Sequence, residues 1–247
     1  MSILATVEPW LKGAIGPVVG YVLGVATPYG RRFLRTARRQ PDLQIHVEHD
    51  PAIIFANAPR NTVGCPMFVP GSTVSLNPGD TQDAFAIRQW ALEHDGFPAI
   101  TDSVEVTLTA WEKLDVVVDA VTINCRQIPI PDGIVVMAPV GGADIHRKRL
   151  NVELAAHGAR AEYVPLNDDS TNFSFKLGSG DTAKIYLNVS AAKWSSESER
   201  GYEWTADLHL LVNNKRKTIT VGDNGTPFEF ARRDAGPMTL WNGSEWQ

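Results

Sequence analysis

Val104-Glu105-Val106-Thr107-Leu108-Thr109-Ala110-Trp111 alternates apolar and polar side chains with a period of two. After the charged stretch Glu112-Lys113-Leu114-Asp115 comes Val116-Val117-Val118-Asp119-Ala120-Val121-Thr122-Ile123-Asn124-Cys125-Arg126. Both pieces are rich in β-branched residues, and each can turn one side to a core and the other to water. They predict two strands near the middle of the chain, around which the others pack.

Downstream, strands are expected over Gly133–Pro139, Arg149–Ala155, Arg160–Val164, Phe173–Leu177, Ala183–Ala191, Tyr202–Val212, Lys215–Val221 and Phe228–Phe230. Turn residues separate them, as at Pro131-Asp132-Gly133, Gly178-Ser179-Gly180-Asp181 and Gly222-Asp223-Asn224-Gly225. Asn213-Asn214 has the form of a two-residue hairpin turn. Many short strands with turn chemistry between them, and no strand–helix–strand rhythm, predict a mainly β protein. The expected architecture is a two-sheet antiparallel, immunoglobulin-like sandwich over 103–231, preceded by an N-terminal hydrophobic helical segment.

Upstream, 41–102 is punctuated by proline and glycine. Short strands are expected at Leu43–Val47, Ile53–Ala56 and Met67–Val69. The helix expected over 81–99 has Thr81 or Asp83 as its cap and Phe85, Ile87, Trp90, Ala91 and Leu92 as its buried side, with Gly96 and Pro98 ending it. A strand over Phe85–Gln89 is the alternative. A tail, 232–247, carries Trp241 and Trp246 and either docks on the body or awaits a partner.

Residues 1–40 differ in kind. Gly13 to Gly30 is uncharged and is followed by Arg31, Arg32, Arg35, Arg38 and Arg39. With Lys12 and Glu8 this segment carries +5 in a chain of net charge -5, so the remainder carries -10. A basic segment on an acidic body suits a membrane surface better than general nucleic-acid binding. Gly16, Gly20 and Gly24 repeat at helical spacing, as in packed membrane helices, and Trp10 and Tyr29 flank the run as interfacial aromatics do. Trp10, Gly16, Gly20, Gly24, Tyr29, Arg31, Arg32, Arg35, Arg38 and Arg39 are therefore the candidate membrane or partner contacts. The arginines after the apolar run place the body on the cytoplasmic side of the membrane. A surface-lying helix and a soluble element are the alternatives, and a homo-oligomer through the glycines is a further expectation.

Candidate chemistry is sparse, and no cofactor or metal set is expected. His46 and His49 have the spacing of two metal ligands, but the alternation of Leu43, Ile45 and Val47 puts them on a strand without third and fourth ligands. Asp168, Asp169 and Asp181 are oxygen donors suited to Ca²⁺, though acidic turns are common. Gly178-Ser179-Gly180-Asp181 is not a nucleophile elbow and reads as a hairpin. The basic cluster Ile145-His146-Arg147-Lys148-Arg149 reads as a solvated loop. Glu203, Asp207 and His209 share one register of a strand whose buried set is Trp204, Ala206, Leu208, Leu210 and Val212. Cys65 and Cys125 make no disulfide framework, and whether they pair is open.

The stretch Trp90–Phe230 resembles a family of actinobacterial proteins of uncharacterised function. The resemblance is carried by Trp90-Ala91-Leu92-Glu93-His94-Asp95-Gly96, the Val104–Val121 strands, Tyr202–Leu208, Lys217–Val221 and the closing turn Asp223-Asn224-Gly225-Thr226-Pro227-Phe228. It implies an N-terminal hydrophobic segment joined to a C-terminal β-sandwich and carries no catalytic residues. The function expected is a non-enzymatic, membrane-associated interaction or scaffold module with an unknown protein partner. The alternatives are a soluble carbohydrate- or ligand-binding sandwich using Trp194, Trp204, Trp241 or Trp246, and an enzyme assembled from such residues as His46, His94, His146 and Asp181.

Overall fold

The computed structural model describes residues 43–58, 62–71, 77–111, 114–138, 149–165, 173–192 and 200–247. The candidate contacts between Trp10 and Arg39 lie outside these, as do Trp194, His146, Asp168 and Asp169. The described chain is mainly β.

The two strands quoted at the outset form as expected but join different sheets. The first, β4 (Thr101–Ala110), lies in a five-stranded sheet with β1 (Leu43–Glu48), β7 (Arg149–Ala155), β8 (Gly158–Val164) and β10 (Thr182–Ala191), in the order β1-β4-β10-β7-β8. Its neighbours β1 and β10 both run antiparallel to it, whereas β10 and β7 are parallel. The second, β5 (Val116–Ile128), lies in another sheet, ordered β12-β11-β5-β9. There β9 is Phe175–Leu177, β11 is Gly201–Val212 and β12 is Lys215–Val221, and β13 (Phe228–Ala231) also pairs with β11.

One hydrophobic cluster joins the two sheets. From the first come Val104, Val106, Leu108, Leu150, Val152, Leu154 and Leu187; from the second come Val116, Val118, Trp204, Leu208 and Phe228. The alternation decides which residues enter it. Val104, Val106, Leu108 and Ala110 are wholly buried, while Thr107 and Thr109 point the other way. In β5 the phase slips. Val116 and Val118 face inward, then Ile123, because the register with β11 shifts between His209 and Leu210. His209 pairs with Ala120 and Leu210 with Val118, so Asp119 is the extra residue of a bulge.

A third sheet, ordered β14-β6-β2-β3, comprises β2 (Met67–Pro70), β3 (Phe97–Pro98), β6 (Gly133–Met137) and β14 (Met238–Leu240). The tail thus docks on the body, with β14 parallel to β6. Both sides of β6 are buried. Ile134 and Val136 pack with Ile87, Trp90 and Trp241, and Val135 packs with Phe68, Ala99 and Ala231. That double burial explains its unbroken Ile-Val-Val run.

Two helices complete the described chain. The first, α1 (Pro51–Ile54), replaces the strand expected over Ile53–Ala56. Asp50 accepts from the Ala52 N–H at 2.9 Å and Pro51 occupies the first turn, a capping arrangement that outweighs the β-branched pair after it. The second, α2 (Ala84–Leu92), starts at Asp83, whose carboxylate accepts from the Phe85 N–H at 2.9 Å. It ends earlier than Gly96, because Asp95 takes a left-handed φ of 57° and the Gly96 N–H returns to the Ala91 carbonyl. Leu92, expected inside, is exposed, and Arg88 is buried in its place. Neither helix is long and apolar enough to cross a membrane, and that holds for the described residues only.

Candidate functional site

Each of the two large sheets ends, among the described residues, on a strand with one free edge at the same margin of the protein. Among the described residues β1 pairs only with β4, and β12 pairs only with β11. Between these edges lies a cleft of about 1190 Å³, closed on one side by α2. Its apolar floor includes Ile45, Val47 and Ile219, all half-buried against the main core.

A finger of backbone, Gly222–Pro227, overhangs the cleft. It interrupts an otherwise continuous sheet edge. Val221 pairs with Ala206 and Phe228 with Trp204, so Thr205 alone faces the whole insertion. Asp223 and Thr226 exchange backbone hydrogen bonds of 2.7 and 2.9 Å. Asn224 and Gly225 between them have φ of 49° and 90°, a two-residue primed turn. A Cβ at Gly222 would stand 2.2 Å from the Thr226 carbonyl oxygen, so only glycine fits at the base of the finger.

At the inner end, His49 Nε2 lies 2.8 Å from Asp102 Oδ2, and Asp102 Oδ1 accepts from the Ser103 N–H at 2.8 Å. Arg88, reaching across from α2, donates through Nη2 to the His49 carbonyl at 3.0 Å. The His49 ring meets Phe228 edge-on at 5.1 Å, and Phe228 stacks on Trp204 at 4.5 Å. Burial disfavours a charged imidazole here. The Asp102 carboxylate and its hydrogen bond outweigh that penalty, and the His49 pKa is raised above its ordinary value. Shortly before Asp102, Ile100 holds a φ of 63°, which costs a β-branched residue roughly 1–3 kcal/mol. Its N–H donates to the Ala231 carbonyl at 3.1 Å, so packing of the third sheet against β13 sustains the bend that delivers Asp102.

Behind this pair is a smaller cavity of about 190 Å³, lined by Phe55, Cys65, Arg88, Asp102 and Asn188. Burial pushes the Cys65 thiol up to about 12, which keeps it protonated and a poor nucleophile. Cys65 and Cys125 are both free thiols.

Carboxylates dominate the cleft rim. Glu48, Asp50, Glu203, Asp223 and Glu229 line it, against one guanidinium, Arg88. Arg126 donates to Glu203 at 2.8 Å. Glu203 and Glu229 are direct cross-strand partners, an arrangement of like charges that costs stability unless something cationic lies beside it.

The other residues singled out from the sequence are dispersed. His46 is exposed on the rim, 3.7 Å from Glu48, and is separated from His49 by the end of β1. His94 Nδ1 donates to the Trp90 carbonyl, 2.7 Å away, outside the cleft. Asp181 closes a hairpin by accepting from the Gly178 N–H at 2.8 Å. Asp207 is held by Thr220 and Asn124, whose hydrogen bonds lower its pKa, and His209 lies 2.8 Å from Thr122. Trp204 and Trp241 are buried in the cores, which removes them as stacking platforms, and Trp246 packs on Trp90 and Trp241. Among the described residues no group of three or more His, Cys, Asp or Glu is placed to hold a metal ion. The His49–Asp102 pair is not evident from spacing. Its trace in the sequence is a charge at 102, in phase with the inward residues 104, 106 and 108.

No protein-family model matches the chain, and no curated protein matches it.

Proposed function

We propose that the protein is a non-enzymatic interaction module in which an immunoglobulin-like sandwich receives an extended segment of a partner protein. The segment lies in the cleft between β1 and β12, and residues 1–40 hold the module at the cytoplasmic side of the membrane. The observation that carries the proposal is the meeting, among the described residues, of two free strand edges at one open margin, with a cleft of about 1190 Å³ between them. Free edges expose rows of unpaired N–H and C=O groups, and a strand laid along one satisfies them. The finger at Gly222–Pro227 and helix α2 confine where such a strand lies. The membrane part is supported by the five arginines, Arg31, Arg32, Arg35, Arg38 and Arg39, that follow the uncharged stretch Gly13–Gly30.

The test uses the full chain. Ten-residue peptides selected from a display library should slow amide hydrogen exchange in 43–48 or 215–221 above all other segments. Selected peptides that protect only other segments would remove the cleft as the binding element. For the membrane part, the chain should float with anionic vesicles, and replacing Arg31, Arg35 and Arg38 by glutamate should release it. A chain that stays unbound before substitution refutes the tether.

A further inference from the structure

We infer that the occupant of the cleft is a cationic extended segment of another protein, alternating apolar and basic side chains. This rests on the strand-addition proposal and names the chemistry of the partner. A strand beside β1 turns alternate side chains to opposite sides. One set would meet Ile45, Val47 and Ile219, which are half-buried where the core between the two sheets opens. Those positions call for apolar side chains. The other set reaches a rim whose charge is one-sided.

Of the rim carboxylates, Glu203 has Arg126 beside it. Among the described residues no lysine or arginine pairs with Glu48, Asp50, Asp223 or Glu229. The one guanidinium in the lining, Arg88, is buried and turned to the His49 carbonyl. A protonated His49 offsets part of this charge, but it faces Asp102. A concave site lined by one sign of charge concentrates counter-charged ligands and speeds their arrival. In the Glu203–Glu229 cross-strand pair Arg126 offsets Glu203, whereas Glu229 has no lysine or arginine paired with it among the described residues, so a basic side chain beside Glu229 adds an attraction.

The experiment uses three nine-residue peptides that alternate valine with lysine, serine or glutamate. Each is titrated into the full chain by fluorescence anisotropy at 50 and 500 mM salt, with hydrogen exchange to locate it. The lysine peptide should bind at least about tenfold more tightly than the serine peptide, and the preference should shrink at high salt. The glutamate peptide should not bind. Glu229 is exposed and Asp223 half-exposed, so Glu229→Lys and Asp223→Lys should leave the melting temperature nearly unchanged. Each should weaken the lysine peptide by about three- to tenfold.

If the serine peptide protects 43–48 as well as the lysine peptide does, strand addition stands and the cationic assignment is overturned. If the lysine peptide binds but neither substitution weakens it, the assignment to this rim is overturned as well. If none of the peptides protects 43–48 or 215–221, both proposals fall. Concentration-dependent protection of those segments without peptide, with dimers on sedimentation, would give the cleft to a second copy and refute the basic partner.

Discussion

Replacing Asp102 by asparagine should destabilise the protein more at low pH than at high pH. The side chain keeps its size, so the Ser103 N–H and the His49 ring still find a polar neighbour, and what is lost is the charge 2.8 Å from His49 Nε2. A hydrogen bond to a charged group contributes about 1.5–3 kcal/mol and a neutral one about 0.5–1.5 kcal/mol, so the loss should be about 1–2 kcal/mol while His49 is protonated. The His49 pKa is raised on folding, burial opposing and Asp102 prevailing. A raised folded pKa gives stability that is fully present below the unfolded pKa of about 6.5 and disappears as pH climbs through the folded value. Urea denaturation of both proteins at pH 5.5 and 8.5, followed by the fluorescence of the seven tryptophans, measures the difference. The wild-type advantage should be about 1–2 kcal/mol at pH 5.5 and below about 1 kcal/mol at pH 8.5. An equal loss at both values, or a larger one at pH 8.5, would refute the charged His49–Asp102 pair.

Gly222→Ala should displace the finger, because the new Cβ would meet the Thr226 carbonyl at 2.2 Å; peptide binding in the cleft should fall while the melting temperature of the main core changes little. Trp204→Phe should cost under about 1.5 kcal/mol in thermal denaturation, since the indole N–H has no partner among the described residues, whereas Trp204→Ala should cost about 3–5 kcal/mol by removing the Phe228 stack. Asn214 sits at a φ of 61° between β11 and β12, so Asn214→Val should lose about 1–2 kcal/mol and Asn214→Gly should be neutral or stabilising by the same measurement. With its pKa near 12, Cys65 is about one part in ten thousand thiolate at pH 8, so iodoacetamide should modify it only after unfolding, as mass spectrometry of the alkylated peptide reports.

Strand positions were legible because they are written locally. Arg149–Ala155 and Lys215–Val221 occur where the alternation and the flanking turns put them, and Asn213-Asn214 adopts the left-handed pair that a two-residue hairpin requires. The failures were local competitions too. At Ile53 an Asp-Pro cap overrode β-propensity, and in α2 the pattern could not show that Arg88 had an internal acceptor waiting. The candidate site was much less legible. His49 and Asp102 stand 53 positions apart, Arg88 comes from a helix and the finger from near the C-terminus.

The amino-acid order by itself determined the mainly β character, the sites of most strands and the uneven charge, since periodicity, turn chemistry and ionisation are properties of short stretches. Only the tertiary structure decided that β4 and β5 part company into different sheets, that β1 and β12 leave their free edges at one margin, and that a largely buried imidazole finds a carboxylate there. Strand partners and burial depend on which distant segments meet, and nothing in a short stretch encodes that meeting.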